Sequence, residues 1–330
     1  MATAPRLTTR PRVLLICGSP NQTGIMLQVG SHLRDYDCYY THYYCDGLLD
    51  LACRAGWLDF TILGGKFRRD SDALLARRGV PLDPRGESYD YDLVVTCSDL
   101  IIQRNIRGRR IILVQEGMTD PENFTYRLVR WLGLPRWLAS TATTGLSGAF
   151  QTFCVASEGY REFFAQKGVP RSRIVVTGLP NFDDCEAFRA NDFPERHYVL
   201  VATSDTRETF KRDGRRRFLH RVARIADGRQ IIFKLHPNEN FTRSSREIAN
   251  IFPKAAIFQD GNTNHMIANC DVLITQYSTV VYVGLALGKE CHSYFDLELL
   301  RALLPIQNGG RSAAHIAAVC RESLEGGARA

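Results

Sequence analysis

Short apolar runs alternate along this sequence with segments of helical periodicity, and this alternation constrains the fold more than any other feature. Residues 13–17 form the first run, and an amphipathic helix is predicted after the turn at residues 18–21. Further buried strands are predicted at residues 93–96, 111–114, 152–155 and 174–177. Buried strands separated by helix-length segments are typical of parallel sheets with crossover helices. The first half of the chain is therefore predicted to be a Rossmann-like α/β domain.

The same pattern starts again after residue 178. Strands are predicted at residues 198–202, 231–235, 256–258 and 272–275, with a last one around 292–295, and helices at residues 213–226, 244–251, 265–269 and 279–287. A chain of 330 residues exceeds the size at which one hydrophobic core usually stops growing. We therefore predict two parallel-sheet domains, residues 1–188 and 189–330, joined near residues 185–195. The sequence leaves open whether the last helix crosses back to the first domain, and it gives the aromatic segment 36–44 no place in either sheet.

The composition is that of an ordinary globular protein, with 45% hydrophobic and 23% charged residues. It excludes disordered, collagen-like and coiled-coil chains. No apolar run reaches the ~18 residues that a membrane span needs, and residues 1–12 lack the apolar core of a signal peptide. The sequence thus predicts a cytoplasmic protein. The ten cysteines occur singly, without a C-x-x-C pair, which favours reduced thiols over disulfides or a zinc site.

The net charge of +7 comes mostly from arginine and favours anionic partners. Nucleic acid is not expected, because the chain has no zinc finger and no basic motif interleaved with aromatic residues. A membrane-facing surface would draw on Arg104, Arg107, Arg109, Arg110, Trp131 and Trp137. Scattered surface arginines and two core tryptophans are the preferred interpretation of these residues. Peripheral contact with the inner face of the membrane stays open, as does a homodimer.

Sheets of this kind bind ligands beyond the carboxyl ends of their strands. With two such domains facing each other across a cleft, the residues just after each strand are the ones to search for chemistry. In the second half, the predicted strand at 272–275 is followed by Gln276, Tyr277, Ser278 and Thr279. Ser278 or Thr279 has the residue type of a helix N-cap, which would leave backbone amides able to bind a phosphate or diphosphate. An ordinary capped core helix explains the same pattern.

Two more segments of the second half follow predicted strands. His236 ends the strand at 231–235, flanked by Lys234 and Asn238, and these residues are candidates for phosphate or sugar contacts. A satisfied polar histidine is the alternative. Arg207 follows the strand at 198–202, and its guanidinium is predicted to clamp a leaving phosphate. Its pairing with Glu208 is the alternative.

In the first half, acids and amides follow three predicted strands. Acids gathered at strand ends are candidate general bases. The residues are Ser19 and Asn21 after the first strand, Asp99 after the second, Gln115 and Glu116 after the third, and then Glu122. A surface turn is the alternative for Asp120 and Glu122. The segment at 18–21 does not match G-x-G-x-x-G, so a nicotinamide cofactor is not expected.

Taken together, these strand-end residues resemble the GT-B superfamily, from about residue 93 to residue 296. Arg207-Glu208-Thr209-Phe210 is similar to the R-E-N-F segment of hydrolysing UDP-N-acetylglucosamine 2-epimerases, and His236 to the histidine of their H-x-N segment. The group of CDP-glycerol glycerophosphotransferases and capsule glycosyltransferases shares the His-Pro at 236–237, and its D-Y-S-S stretch resembles residues 276–279.

Two departures from these patterns concern acids. The glutamate of the epimerases' V-E-A-G segment aligns with Gln115, and Glu116 lies one place later. The acid that follows D-Y-S-S in the transferase group is replaced by Val283. The resemblance therefore keeps only part of either family's acid set.

The resemblance implies a GT-B-like protein with two Rossmann-like domains. As the leading hypothesis it is a metal-independent transferase that moves a sugar or polyol phosphate from a nucleotide-diphosphate-activated donor to a saccharide or lipid-linked acceptor. Its product would be a surface polysaccharide or glycoconjugate, and no cofactor is expected beyond the donor as substrate. The alternatives are a hydrolysing epimerase-like enzyme and a catalytically silent sugar-nucleotide-binding protein. The implied catalytic residues are Asp99, Glu116 and His236, and the implied substrate contacts are Ser19, Asn21, Gln115, Glu122, Arg207, Lys234, Asn238, Tyr277, Ser278 and Thr279.

Overall fold

The computed structural model describes residues 10–204 and 214–326. Arg207, a predicted phosphate ligand, lies outside the described residues. The chain divides into two compact units. The first unit holds the described residues through Asp183 together with those from Gly310 onward, and the second unit spans Asp184–Gly309. Each unit is built on its own parallel sheet.

The first unit has a six-stranded parallel sheet in the order β2-β1-β3-β4-β5-β6. Its central strands are continuous apolar runs because helices or loops bury them on both faces. The strands are β1 (Arg12–Cys17), β2 (Asp37–His42), β3 (Leu93–Thr96), β4 (Ile111–Val114), β5 (Thr152–Val155) and β6 (Ile174–Val176), and the helices are α1 (Pro20–Ser31), α2 (Leu48–Arg54), α3 (Gly65–Arg78), α4 (Phe124–Leu132) and α5 (Glu158–Gln166). The aromatic segment that the sequence could not place is β2, which lies at the edge of the sheet and pairs with β1.

The second unit has a five-stranded parallel sheet in the order β11-β10-β7-β8-β9. Its strands are β7 (Val199–Ala202), β8 (Ile231–Lys234), β9 (Ala256–Phe258), β10 (Val272–Thr275) and β11 (Glu290–His292), and its helices are α6 (Arg215–Ala226), α7 (Phe241–Ala249), α8 (Thr263–Asn269), α9 (Val281–Ala286) and α10 (Leu297–Ala302). The strand predicted around 292–295 is wrong in position. Tyr294 N and Ser293 Oγ instead donate hydrogen bonds to the carbonyl oxygen of Gln276, at 3.2 and 3.0 Å, and turn the chain across the end of β10.

The last helix, α11 (Ser312–Gly326), belongs to the first unit. Its apolar face, which includes Ile316 and Cys320, is buried in the same core cluster as Leu15, Ile25 and Val95. Its amino end is tied down by Asp183, whose carboxylate accepts a hydrogen bond from Ser312 N at 2.8 Å.

The α/β class with two parallel-sheet domains is thereby confirmed. All ten cysteines are free. Among the described residues, no helix is long and apolar enough to cross a membrane. The prediction of two core tryptophans is wrong: the side chains of Trp131 and Trp137 are 82% and 39% exposed, because Trp131 lies on the outer face of α4 and Trp137 in the 3₁₀ helix Arg136–Thr143.

Candidate functional site

In the first unit, the loops after β1 and β4 meet at the carboxyl edge of the sheet, the side on which the strands end. Ser19 caps α1 and accepts a hydrogen bond from the backbone amide of Gln22 at 3.2 Å. The Gln22 side chain lies over Gly18, where a Cβ atom would come within 1.8 Å of Gln22 Oε1 and would displace that side chain. Glu116, two residues after β4, receives hydrogen bonds from Ser19 Oγ at 2.7 Å and from Gln22 Nε2 at 2.5 Å.

The environment of Glu116 favours a basic carboxylate. Burial raises the pKa of Glu116, and the hydrogen bonds from Gln22 and Ser19 offset only part of that rise. Both donors are neutral, and no lysine, arginine or histidine of the described chain forms an ion pair with Glu116. A carboxyl group whose pKa is raised towards the working pH is a better proton acceptor than an ordinary surface glutamate.

The other two strand-end candidates of this edge are bound to the protein itself. Asp99 is fully buried, and its carboxylate accepts hydrogen bonds from the amides of Gly145 and Ser147, both at 3.0 Å, and from Arg136 at 3.2 Å. Gln115 donates to the Gly117 carbonyl at 2.8 Å and accepts from the Ala156 amide at 2.9 Å. Asp99 therefore anchors the loop around residue 145, and Gln115 fixes the turn that presents Glu116.

The remaining first-unit candidates lie apart from this cluster. Asn21 is exposed on the first turn of α1. Glu122 is 44% exposed and its carboxylate lies 3.7 Å from Lys167 Nζ. Neither contacts Glu116 in the described chain.

In the second unit, three adjacent strands, β10, β7 and β8, bring their carboxyl ends together. Ser204 Oγ, after β7, donates to the carbonyl oxygen of Tyr277, after β10, at 3.3 Å. Thr203 Oγ1 accepts a hydrogen bond from the His236 amide, after β8, at 3.2 Å. The predicted segments at 236–238 and 276–279 are thus joined to one edge by Thr203 and Ser204, which the sequence reading did not single out.

A buried ion pair holds the loop that carries His236. Glu239 accepts hydrogen bonds from Arg215, from Thr203 Oγ1 and, at 3.0 Å, from the His236 amide. His236 Nδ1 accepts from the Asn238 amide at 3.2 Å, so the neutral imidazole carries its proton on Nε2. The ring is thereby fixed as a donor at Nε2.

Lys234 and Tyr277 occupy contrasting environments. The Lys234 side chain is buried, its ammonium donates to the Gln259 carbonyl at 2.6 Å, and burial lowers its pKa. It therefore ties β8 to the chain after β9. Tyr277 is 52% exposed and packs edge-on against Tyr294 and Phe295.

The predicted N-cap at Ser278 or Thr279 is wrong. α9 has six residues, its N-cap is Val280 and no side chain caps it. The amides of Val281, Tyr282 and Val283 donate to the carbonyl oxygens three residues earlier, so tight turn bonds use the groups that were expected to bind phosphate. What this edge does offer is the buried Thr275 hydroxyl, which has no hydrogen-bond partner in the described chain.

Two comparisons by sequence find nothing: no protein-family model and no curated protein matches the chain. Comparison with solved structures does find similar folds. The putative UDP-N-acetylglucosamine 2-epimerase of Listeria monocytogenes has a TM-score of 0.58 at 12% identity, covering 96% of this chain and 97% of that one. The UDP-N-acetylglucosamine 2-epimerase of Neisseria meningitidis bound to its sugar nucleotide has a TM-score of 0.55 at 12% identity over 95% and 91%. The wall teichoic acid polymerase TagF has a TM-score of 0.53 at 9% identity over 97% and 90%. The chain thus has a GT-B-like fold, and both expected structural resemblances are present.

Proposed function

We propose that this protein is an enzyme that transfers a sugar or a polyol phosphate from a nucleotide-diphosphate-activated donor, in the synthesis of a surface polysaccharide or glycoconjugate. The observation that carries the proposal is the meeting of His236, Ser204 and the turn at 276–279 at one carboxyl edge of the second sheet. The similar structures add support, since their descriptions name a wall teichoic acid polymerase and enzymes of UDP-N-acetylglucosamine.

In this proposal the second unit binds the donor. His236 donates from Nε2 to a phosphate oxygen, and the hydroxyl groups of Thr275, Ser278 and Thr279 supply further hydrogen bonds. Tyr277 stacks on the base, Asn238 contacts the sugar or polyol, and Lys234 fixes the strand that carries His236. Arg207 pairs with the diphosphate, and its charge together with the His236 donor stabilises the leaving group as negative charge develops.

The first unit supplies the acceptor side of the reaction. Glu116 takes the proton of the acceptor hydroxyl. The acceptor oxygen then attacks the anomeric carbon of a sugar donor or the distal phosphorus of a polyol donor. The bond to the leaving group breaks at the same centre, which releases a nucleoside diphosphate in the first case and a nucleoside monophosphate in the second. Ser19 and Gln22 hold the carboxylate, Asn21 and Glu122 contact the acceptor, and Asp99 and Gln115 hold the surrounding backbone.

Nucleotide titration tests the donor site. We expect UDP or CDP to bind and to raise the melting temperature of the wild-type protein, and His236→Asn to weaken that binding by about tenfold or more, the usual worth of a hydrogen bond to a charged group. The matched control is His197→Asn, because His197 precedes the amino end of β7, is 84% exposed and has a left-handed φ of 57° that asparagine tolerates. Equal affinities in all three proteins would place the nucleotide elsewhere.

A hydrolysing epimerase activity is the second candidate, favoured by the two similar epimerase structures. It differs in needing no acceptor. Incubation with UDP-N-acetylglucosamine alone should then release UDP at the full rate, whereas the transferase should release nucleotide only when an acceptor is added. Nucleotide binding without turnover of UDP-N-acetylglucosamine or CDP-glycerol under either condition would instead identify a binding protein.

A further inference from the structure

We propose that the first unit carries a second anion site, a pocket that binds a phosphate group between the carboxyl-terminal end of α4 and the loops that lead into β5 and β6. The pocket has a volume of about 580 Å³, which lies within the range of ~300–1,000 Å³ that is usual for small-molecule sites. Four basic side chains line it, and no acidic residue does: Arg130, Arg136, Lys167 and Arg173.

Neutral oxygens supply most of the hydrogen-bond partners of these cations. Lys167 Nζ donates to the Ala142 carbonyl at 2.6 Å, and Arg173 donates to the carbonyl oxygens of Gly148 and Phe150 at 3.1 and 3.2 Å. Arg130 donates to the Tyr126 hydroxyl at 3.2 Å. Carbonyl and hydroxyl oxygens orient a cation without neutralising it.

Among the residues that the structure describes, two carboxylates pair with the four cations. Asp99 accepts from Arg136 at 3.2 Å, and the half-exposed Glu122 lies 3.7 Å from Lys167. Four positive groups against two negative ones leave two positive charges at the pocket. A phosphate monoester dianion balances that excess, and arginine guanidinium groups match its oxygens in pairs.

Lys167 is the most unusual of the four, because only 6% of it is exposed. Its ammonium lies 5.3 Å from the ring centre of Tyr126 and 5.1 Å from that of Phe163. Burial lowers the pKa of Lys167. A bound anion would favour the charged ammonium and repay its desolvation, which neutral carbonyl oxygens cannot do.

The pocket is separate from the Glu116 cluster. Glu116 follows the carboxyl end of β4, whereas Lys167 and Arg173 precede the amino end of β6, and Gly148 precedes that of β5. In a parallel sheet these are opposite edges, about 10 Å apart across strands of three or four residues. Glu116, Ser19 and Gln22 do not line the pocket, and its links to the residues described above are Asp99, bonded to Arg136, and Glu122, near Lys167.

The rim of the pocket indicates what carries the phosphate. Exposed apolar side chains lie beside the lining residues in sequence, namely Trp131, Leu132, Trp137 and Leu138. Aromatic and aliphatic groups next to basic ones are typical of a surface that meets a lipid headgroup region. A soluble phosphate ester has the same headgroup chemistry, so both sources are tested.

The soluble test measures the affinity of the full chain for inorganic phosphate and glycerol 3-phosphate by calorimetry. We expect binding that weakens at least tenfold in Arg130→Gln and in Lys167→Met. Arg127→Gln, an exposed arginine one turn earlier on α4 and outside the pocket, should stay within twofold. His236→Asn should also leave this binding unchanged, which separates the pocket from the donor site. Because Lys167 is buried, Arg130→Gln is the deciding variant if Lys167→Met does not fold.

The lipid test is flotation with phosphatidylcholine vesicles, with and without phosphatidic acid. If lipid is the source, the protein floats only with phosphatidic acid, and Arg130→Gln loses flotation while Arg127→Gln keeps it. If a soluble ester is the source, the calorimetric pattern holds and neither vesicle binds. Absence of binding to every probe, or equal losses in Arg130→Gln and Arg127→Gln, would overturn the proposal.

Discussion

Each of the two sheets places a glutamate at its carboxyl edge, and the two glutamates are held in opposite ways. In the first unit, Glu116 receives hydrogen bonds from Ser19 and Gln22, which are both neutral. In the second unit, Glu239 pairs with the guanidinium of Arg215, and both side chains are more than nine-tenths buried. The carboxyl edges of two parallel sheets therefore carry a glutamate held by neutral groups in one unit and a buried ion pair in the other.

The difference shows how a fold assigns roles to chemically identical groups. Neutral donors orient Glu116 while burial keeps its pKa raised, so that it is able to accept a proton. Glu239 is instead paired with a buried arginine, and its oxygens accept hydrogen bonds from the His236 amide and from Thr203. Glu116 is therefore suited to accepting a proton, and Glu239 to positioning the loop that carries His236.

The largest expected effect is on turnover. Glu116→Gln removes the proposed proton acceptor but keeps the size of the side chain, so we expect kcat to fall by about 10²–10⁴-fold, the usual contribution of a general base. Nucleotide affinity should not change, because the proposed donor site lies in the second unit. Release of UDP or CMP from the donor in the presence of acceptor measures kcat. The control is Glu158→Gln on the first turn of α5, where the glutamate is 68% exposed. If Glu116→Gln has the same kcat as this control, Glu116 is not the proton acceptor.

The second effect is on stability, and it applies to the other glutamate. Glu239→Gln leaves the guanidinium of Arg215 buried without its main carboxylate, a change that typically costs about 3–5 kcal/mol. Chemical denaturation measures the loss in free energy of unfolding. Glu298→Gln is the control, because that glutamate is 83% exposed in its pair with Arg301 and surface pairs contribute about 0–1 kcal/mol. Equal losses in the two variants would show that the buried pair is no more important than a surface pair.

The bounds of the central strands were predicted closely because strands that are buried on both faces consist of continuous apolar residues. The strands at 93–96, 111–114, 152–155 and 272–275 have the predicted bounds. β2 could not be placed because it is an edge strand, partly exposed, and its mixed aromatic and polar residues show neither a continuous run nor a clean alternation.

The candidate site was predictable as a set of strand ends but not as a set of contacts. Gln22 was missed because its partner, Glu116, lies 94 residues away in the sequence. The cap at Ser278 or Thr279 was wrong because residue type alone does not reveal that the chain makes a tight turn before α9. For Glu239, the only available signal was an acid three residues after His236 in a turn.

The smallest expected effect is a pH dependence of stability that separates the two glutamates again. A carboxyl group whose pKa is raised in the folded protein favours folding while it is protonated, and that contribution is lost as the pH rises through the raised value. Wild-type protein should therefore lose stability relative to Glu116→Gln as the pH rises from 4.5, the ordinary value for glutamate, towards neutrality. The loss is about 1.4 kcal/mol for each tenfold change in the acid dissociation constant. Melting temperatures across this pH range measure the loss. Glu158→Gln is the control, and its difference from the wild type should not change with pH. A wild-type protein that gains stability relative to Glu116→Gln as the pH rises would mean that the pKa of Glu116 is lowered instead, as it would be beside a cation.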